Sequence, residues 1–135
     1  MRPYSLFISH SWSYHHEYIR LIELLDRAPR FLYKNYSVPA DDPIHNAPNS
    51  RLLADAIRRQ MIFCDVVILL AGVYSTHSKW IKTEIAIANS FTRPKPLLAI
   101  EPWGSHRTSE IVKNSADLIV GWSTSSMVSA IRWLA

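Results

Sequence analysis

Glycine is nearly absent from this chain of 135 residues, which has only Gly72, Gly104 and Gly121. That scarcity excludes two common phosphate cradles, G-x-x-x-x-G-K-[ST] and G-x-G-x-x-G, both of which need closely spaced glycines for backbone approach. The turn after the first apolar segment has no glycine either, so it lacks the backbone nest of a flavin phosphate site. Cysteine is limited to Cys64, which rules out an internal disulfide and a cysteine-built metal site and makes a reducing cytoplasm the expected location. No apolar run reaches the roughly 18 residues that a membrane span needs, and residues 1–9 do not read as a secretory signal, so no membrane partner is expected. A one-signed charge block is also missing. Lys and Arg number 15 against 11 Asp and Glu, a net +4, but they are scattered, with no zinc-finger or RNP pattern. Nucleic acid is therefore not the expected partner, although a mild positive field would help gather a phosphate-bearing ligand.

What is present is an alternation of apolar patterns, with 48% hydrophobic residues over a length suited to one domain spanning 1–135. Strands are expected at Tyr4–Ser9, Tyr33–Val38, Asp65–Ala71, Leu97–Ile100 and Leu118–Val120. Helices are expected at His15–Ala28, Ser50–Phe63, Ser78–Ser90, Ser109–Asn114 and Ser125–Leu134, with Tyr18, Ile19, Ile22 and Leu25 as the apolar side of the first. The run Val66-Val67-Ile68-Leu69-Leu70 reads as a strand buried on both faces. Five strands alternating with helices imply an α/β, flavodoxin-like three-layer fold with a five-stranded parallel sheet in the order 2-1-3-4-5. Its ligand crevice would lie between the carboxyl ends of the first and third strands, where Ser9-His10-Ser11-Trp12, the loop after Val38 and the stretch Gly72 to Glu84 converge. The loop Ala40 to Asn49, dense in Pro, Asp and Asn, is long enough to suggest function.

Trp80 and Glu84 form the most informative pair, because a spacing of four puts indole and carboxylate on neighbouring turns of one helix face. The plain alternative is a solvated glutamate paired with Lys79 or Lys82. Against it, the surrounding Ile81, Ile85, Ala86, Ile87 and Ala88 leave little polar helix surface, so Glu84 is expected at a partly buried edge. Ser9 and His10 are strand neighbours that point to opposite faces, and no G-x-S-x-G elbow exists, so a serine-hydrolase dyad is not supported. A phospho-receiver fails because the first strand ends Ser-His-Ser and Asp65 lies at the wrong end of the third. The six histidines show neither H-x-x-x-H nor H-E-x-x-H spacing, so no metal site is expected. Trp12, Trp103, Trp122 and Trp133 read as core or rim aromatics.

The segments Phe7-Ile8-Ser9-His10-Ser11, Asn35-Tyr36-Ser37-Val38-Pro39, Asp65 to Leu70, Ser78-x-Trp80-x-x-x-Glu84-Ile85 and Val120-Gly121-Trp122 occur in this order. Together they resemble the TIR-like domain family, most closely the bacterial branch with the TIR-like subunit of Thoeris anti-phage defence systems. The resemblance implies cleavage of NAD, as substrate rather than cofactor, at the nicotinamide–ribose bond, with Glu84 as the catalytic glutamate. It also implies a cyclic ADP-ribose isomer as product and a downstream effector reached through that diffusible nucleotide signal. The motif itself does not separate cyclisation from hydrolysis. As substrate-binding residues it suggests Trp80 and Phe7 as pocket walls, Ser9, His10 and His77 as donors to ribose or phosphate, and Asn46 on the long loop. The alternative is a non-catalytic TIR-type signalling module acting through self-association.

Overall fold

A computed structural model describes residues 2–9, 15–37, 50–70, 78–101 and 110–135, the side chains at 15, 16, 50, 52, 53 and 78–80 excepted. The strands are β1 (Tyr4–Ser9), β2 (Tyr33–Asn35), β3 (Val66–Leu70), β4 (Leu97–Ile100) and β5 (Leu118–Val120). The helices are α1 (His15–Asp26), α2 (Ser50–Met61), α3 (Ser78–Ser90), α4 (Glu110–Ser115) and α5 (Thr124–Leu134). All pairings are parallel and the sheet order is β2-β1-β3-β4-β5, the α/β architecture that the alternating pattern implies. Right-handed crossovers put α2 and α3 on one face and α1 and α5 on the other, and each pair packs side by side.

The centre of the sheet is wholly apolar. Every residue of β3 and β4 is buried, as are Leu6, Phe7 and Ile8 of β1, because helices cover both faces of these strands. Two aspartates close the amino edge in the same way. Asp65, just before β3, donates its N–H to the Ser5 carbonyl at 2.6 Å, and its Oδ2 accepts from Ser5 N–H at 2.9 Å. Asp117, just before β5, donates its N–H to the Leu97 carbonyl at 2.8 Å, and its Oδ2 accepts from Leu97 N–H at 2.8 Å. Side-chain carboxylates thus satisfy the strand-starting amides that no neighbouring strand reaches.

Several boundaries differ from the sequence expectation for identifiable reasons. Helix α1 ends at Asp26 rather than Ala28, and the Ala28 N–H turns back to Leu25 O at 3.2 Å, because the residue before Pro29 is steered out of the helical region. Its buried side is Leu21 and Leu25 with Tyr18 and Ile22 alongside, the i, i+3, i+4, i+7 stripe, whereas Ile19 lies off that stripe and is exposed. Strand β2 stops at Asn35 rather than Val38. Tyr36 N–H still reaches Leu6 O at 2.8 Å, but at the next rung Ser37 offers its hydroxyl, not its backbone, to Ile8 N–H at 3.0 Å. Helix α2 ends at Met61, where the Lys95 ammonium binds the Ile62 and Cys64 carbonyls at 3.1 and 2.9 Å and caps the exit. Helix α5 begins at Thr124 because Ser123 is its N-cap and accepts from Ser126 N–H. Trp133 is 81% exposed, not a core or rim aromatic, since it lies on the side of α5 away from Met127, Val128 and Ile131. Trp122 is half-buried beneath the Arg20 guanidinium, 5.7 Å from its ring.

Cys64 is buried between α2 and β3, and this burial, helped by nearby Asp65 and opposed by Lys95, pushes its thiol up to about 12. The raised value makes the thiol neutral to stability below about pH 9 and withdraws stability as pH climbs towards 12. At pH 8 the folded chain should hold about a thousandfold less thiolate than the unfolded one. A thiol-reactive disulfide reagent should therefore label Cys64 rapidly in urea and very slowly without it. Comparable rates in both conditions would contradict the burial.

Candidate functional site

On α3 the buried residues Ile81, Glu84, Ile85 and Ala88 follow the i, i+3, i+4, i+7 rule and form the stripe that faces the sheet, with Ile87 buried on its flank. Glu84 occupies a position in that stripe where a leucine would be expected. It is 1% exposed, more deeply enclosed than the partly buried edge expected from sequence, and it is not a solvated partner of a surface lysine. Opposite it stands Ser9, fully buried at the carboxyl end of β1. The Ser9 hydroxyl donates a hydrogen bond to Glu84 Oε1. Residues 75 apart in sequence are therefore joined where the central strands end. That is the ligand-bearing edge of an open parallel sheet.

Strand alternation puts Phe7 on the same face of β1 as Ser9, one repeat deeper, and it is enclosed in the core. It forms the apolar bed under the polar pair. The end of β1 is held from the other flank by a relay that sequence reading did not single out. Ile8 N–H donates to the Ser37 hydroxyl, which donates to Asn35 Oδ1, while Ser37 N–H binds the same oxygen at 2.9 Å. Asn35 Nδ2 then donates to the Tyr18 hydroxyl on α1. The Asn35-Tyr36-Ser37 segment was visible in sequence, but its role depends on a strand pairing that spacing does not reveal.

Trp80 lies one helical turn before Glu84 in α3, where its backbone is described and its side chain is not. His10, Asn46 and His77 lie outside the described residues. In sequence, His10 directly follows the last residue of β1, and His77 directly precedes α3. Among the described residues no group of three or more His, Cys, Asp or Glu could hold a metal ion, and no helix is long and apolar enough to cross a membrane.

A carboxylate embedded in an apolar helix stripe is costly unless it is hydrogen-bonded, and such groups concentrate at functional sites. What the arrangement offers chemically is an enclosed carboxyl group held in place by a hydroxyl at the carboxyl edge of the sheet. That suits stabilising a positive charge or gripping hydroxyls.

The fold is that of the TIR and SEFIR class. The crystal structure of a prokaryotic SEFIR domain superposes with a TM-score of 0.54 at 16% identity, covering 98% of this chain and 99% of that one. Residues 7–107 match the family model described as Thoeris protein ThsB, TIR-like domain, and the chain belongs to that family. No curated protein matches it.

If Glu84 is retained for chemistry rather than for folding, replacing the whole polar pair with apolar groups should not destabilise the protein. The double variant Ser9→Ala/Glu84→Met is expected to match the wild-type unfolding free energy or exceed it by up to about 1–2 kcal/mol in urea titrations, whereas Glu84→Met alone takes the acceptor from the buried Ser9 hydroxyl. A loss of stability of that size in the double variant would mark the carboxylate as a structural member of the core.

Proposed function

We propose that this protein consumes NAD, cleaving the nicotinamide–ribose bond with Glu84 as the catalytic carboxylate, and that it converts the ADP-ribose portion into a cyclic isomer that serves as an anti-phage defence signal. The observation that carries this reading is the buried Ser9–Glu84 pair at the carboxyl edge of the sheet. Membership of the Thoeris ThsB TIR-like family supports it.

The reaction asks little of the protein beyond electrostatics. The bond between ribose C1′ and the pyridinium nitrogen breaks with its electron pair going to nitrogen, so nicotinamide leaves neutral and needs no proton. The ribose is left with oxocarbenium character, as in glycoside cleavage. A carboxylate fixed beside it stabilises that charge, or holds the adjacent hydroxyls so that C1′ sits correctly. The Ser9 hydroxyl orients the carboxylate by donating to Oε1. In this reading Trp80 walls the pocket above Glu84, Phe7 supports it from below, and His10, His77 and Asn46 supply hydrogen bonds to ribose or phosphate. An adenine nitrogen or a ribose hydroxyl of the same molecule then attacks C1′ and closes the ring, and a hydroxyl releases its proton as it does so. If water attacks instead, ADP-ribose results, so exclusion of water favours the ring.

Purified protein incubated with NAD, at high concentration and with extract from infected cells added, should release nicotinamide. The Glu84→Gln variant should do so at least about 100-fold more slowly. Mass analysis separates the outcomes, since a cyclic product is one water lighter than ADP-ribose. Folded wild-type protein that releases no nicotinamide under any of these conditions, or a fully active Glu84→Gln, would reject the enzyme and favour a signalling module that works by self-association.

A further inference from the structure

At the amino edge of the sheet lies a cavity of about 610 Å³ lined by Arg2, Tyr4, Arg30, Arg132 and Ala135. Its three guanidinium groups come from three separate parts of the chain: the segment before β1, the turn between α1 and β2, and the last turn of α5. Two of them are held by the fold and the third is not. Arg2 bridges to Asp65 at 3.2 Å. The Arg132 guanidinium donates to the Arg30 carbonyl at 2.8 Å and lies 6.0 Å from the Phe31 ring, which itself stacks on Tyr4 at 5.5 Å. Arg30 has φ 54°, a left-handed conformation that few residues other than glycine adopt. Its guanidinium has no partner among the described residues.

Asp65 is the one carboxylate side chain held against these cations among the described residues. The negative end of α5, whose C-cap Ala135 lines the cavity, also brings negative charge against these cations and reduces the guanidinium excess, but it leaves the Arg30 side chain without a carboxylate partner. Three planar forks offer more donors than one phosphate group can use, and the volume is that of a nucleotide-sized ligand rather than a single small anion. We propose that this cavity is a second binding site, for a small polyphosphate ligand of the nucleoside diphosphate class. It lies at the opposite end of β1 from the Ser9–Glu84 pair, about 16 Å away along the strand. The site is independent of the proposed reaction.

Titration with inorganic pyrophosphate and with ADP, followed through backbone amide shifts, tests the assignment. Saturable one-to-one binding is expected, with shifts at Tyr4, Arg30, Phe31 and Arg132. Arg30→Gln and Arg132→Gln should each weaken it by about tenfold. Arg59→Gln, an exposed change on α2, should leave it intact, as should Glu84→Gln. Retention of binding in Glu84→Gln keeps this result separate from the fate of the enzyme reading. Arg30→Gln is informative even if Arg132→Gln fails to fold, because the Arg30 side chain contributes no bond within the described fold. The proposal is overturned by an absence of saturation, by shifts confined to the Ser9 and Glu84 end, or by equal weakening in Arg59→Gln. It is also overturned if a single-stranded oligonucleotide binds more tightly than ADP with the same arginine dependence, since the ligand would then be nucleic acid.

Discussion

Taking the Glu84 carboxylate out of water constrains everything around the carboxyl edge of the sheet. An acid in an apolar helix stripe is tolerable only with a hydrogen-bond donor in register, and Ser9 supplies one because β1 ends level with the middle of α3. That register is set by β1 pairing with β3, Ser9 opposite Leu69, and by the Ser37 hydroxyl that takes over from backbone at the Ile8 amide. Shifting β1 by one residue would turn Ser9 to the opposite face and leave the carboxylate against apolar groups. The polar pair and the pairing of the central strands therefore specify each other.

Much of this was legible without coordinates, and what was legible has a common cause. Strands β1, β4 and β5 and helix α3 carry unbroken apolar periodicity, so their limits follow from residue order alone. The burial of Glu84 was legible in direction, from its isoleucine and alanine neighbours, but not in degree. The limits that shifted were decided by groups distant in sequence: Lys95 capping α2 from 31 residues beyond Cys64, and Ser37 ending β2 through Ile8. Apolar character alone points Ile19 to the core and Trp133 to the core or its rim, whereas the helical stripe leaves both outside. Trp80 follows the spacing argument as far as its backbone position. The arginine cavity had no sequence signal, because its cations are separated by 28 and 102 positions and converge only when the end of α5 reaches the turn between α1 and β2.

The two edges of the sheet are built on different principles. At the amino edge, Asp65 and Asp117 each take both backbone groups of a neighbouring strand residue. At the carboxyl edge, polar side chains meet one another instead, with Ser9 to Glu84 on one flank and Ser37 to Asn35 on the other. Rigid backbone closure at one end leaves the other to side chains, which is how a common α/β frame can carry different chemistry at its carboxyl edge.

The pairing of β1 with β3 has a further consequence for how the chain reaches this state. Leu6 lies beside Val66, sixty positions later, so the innermost rungs of the sheet join distant parts of the polymer. Closing so large a loop costs entropy before any contact compensates, which slows the search. During synthesis, the Leu6-Phe7-Ile8 strip would emerge well before its partner strand exists. Cellular chaperones, or temporary cover from α1, would have to shield that sticky strip until the third strand arrives.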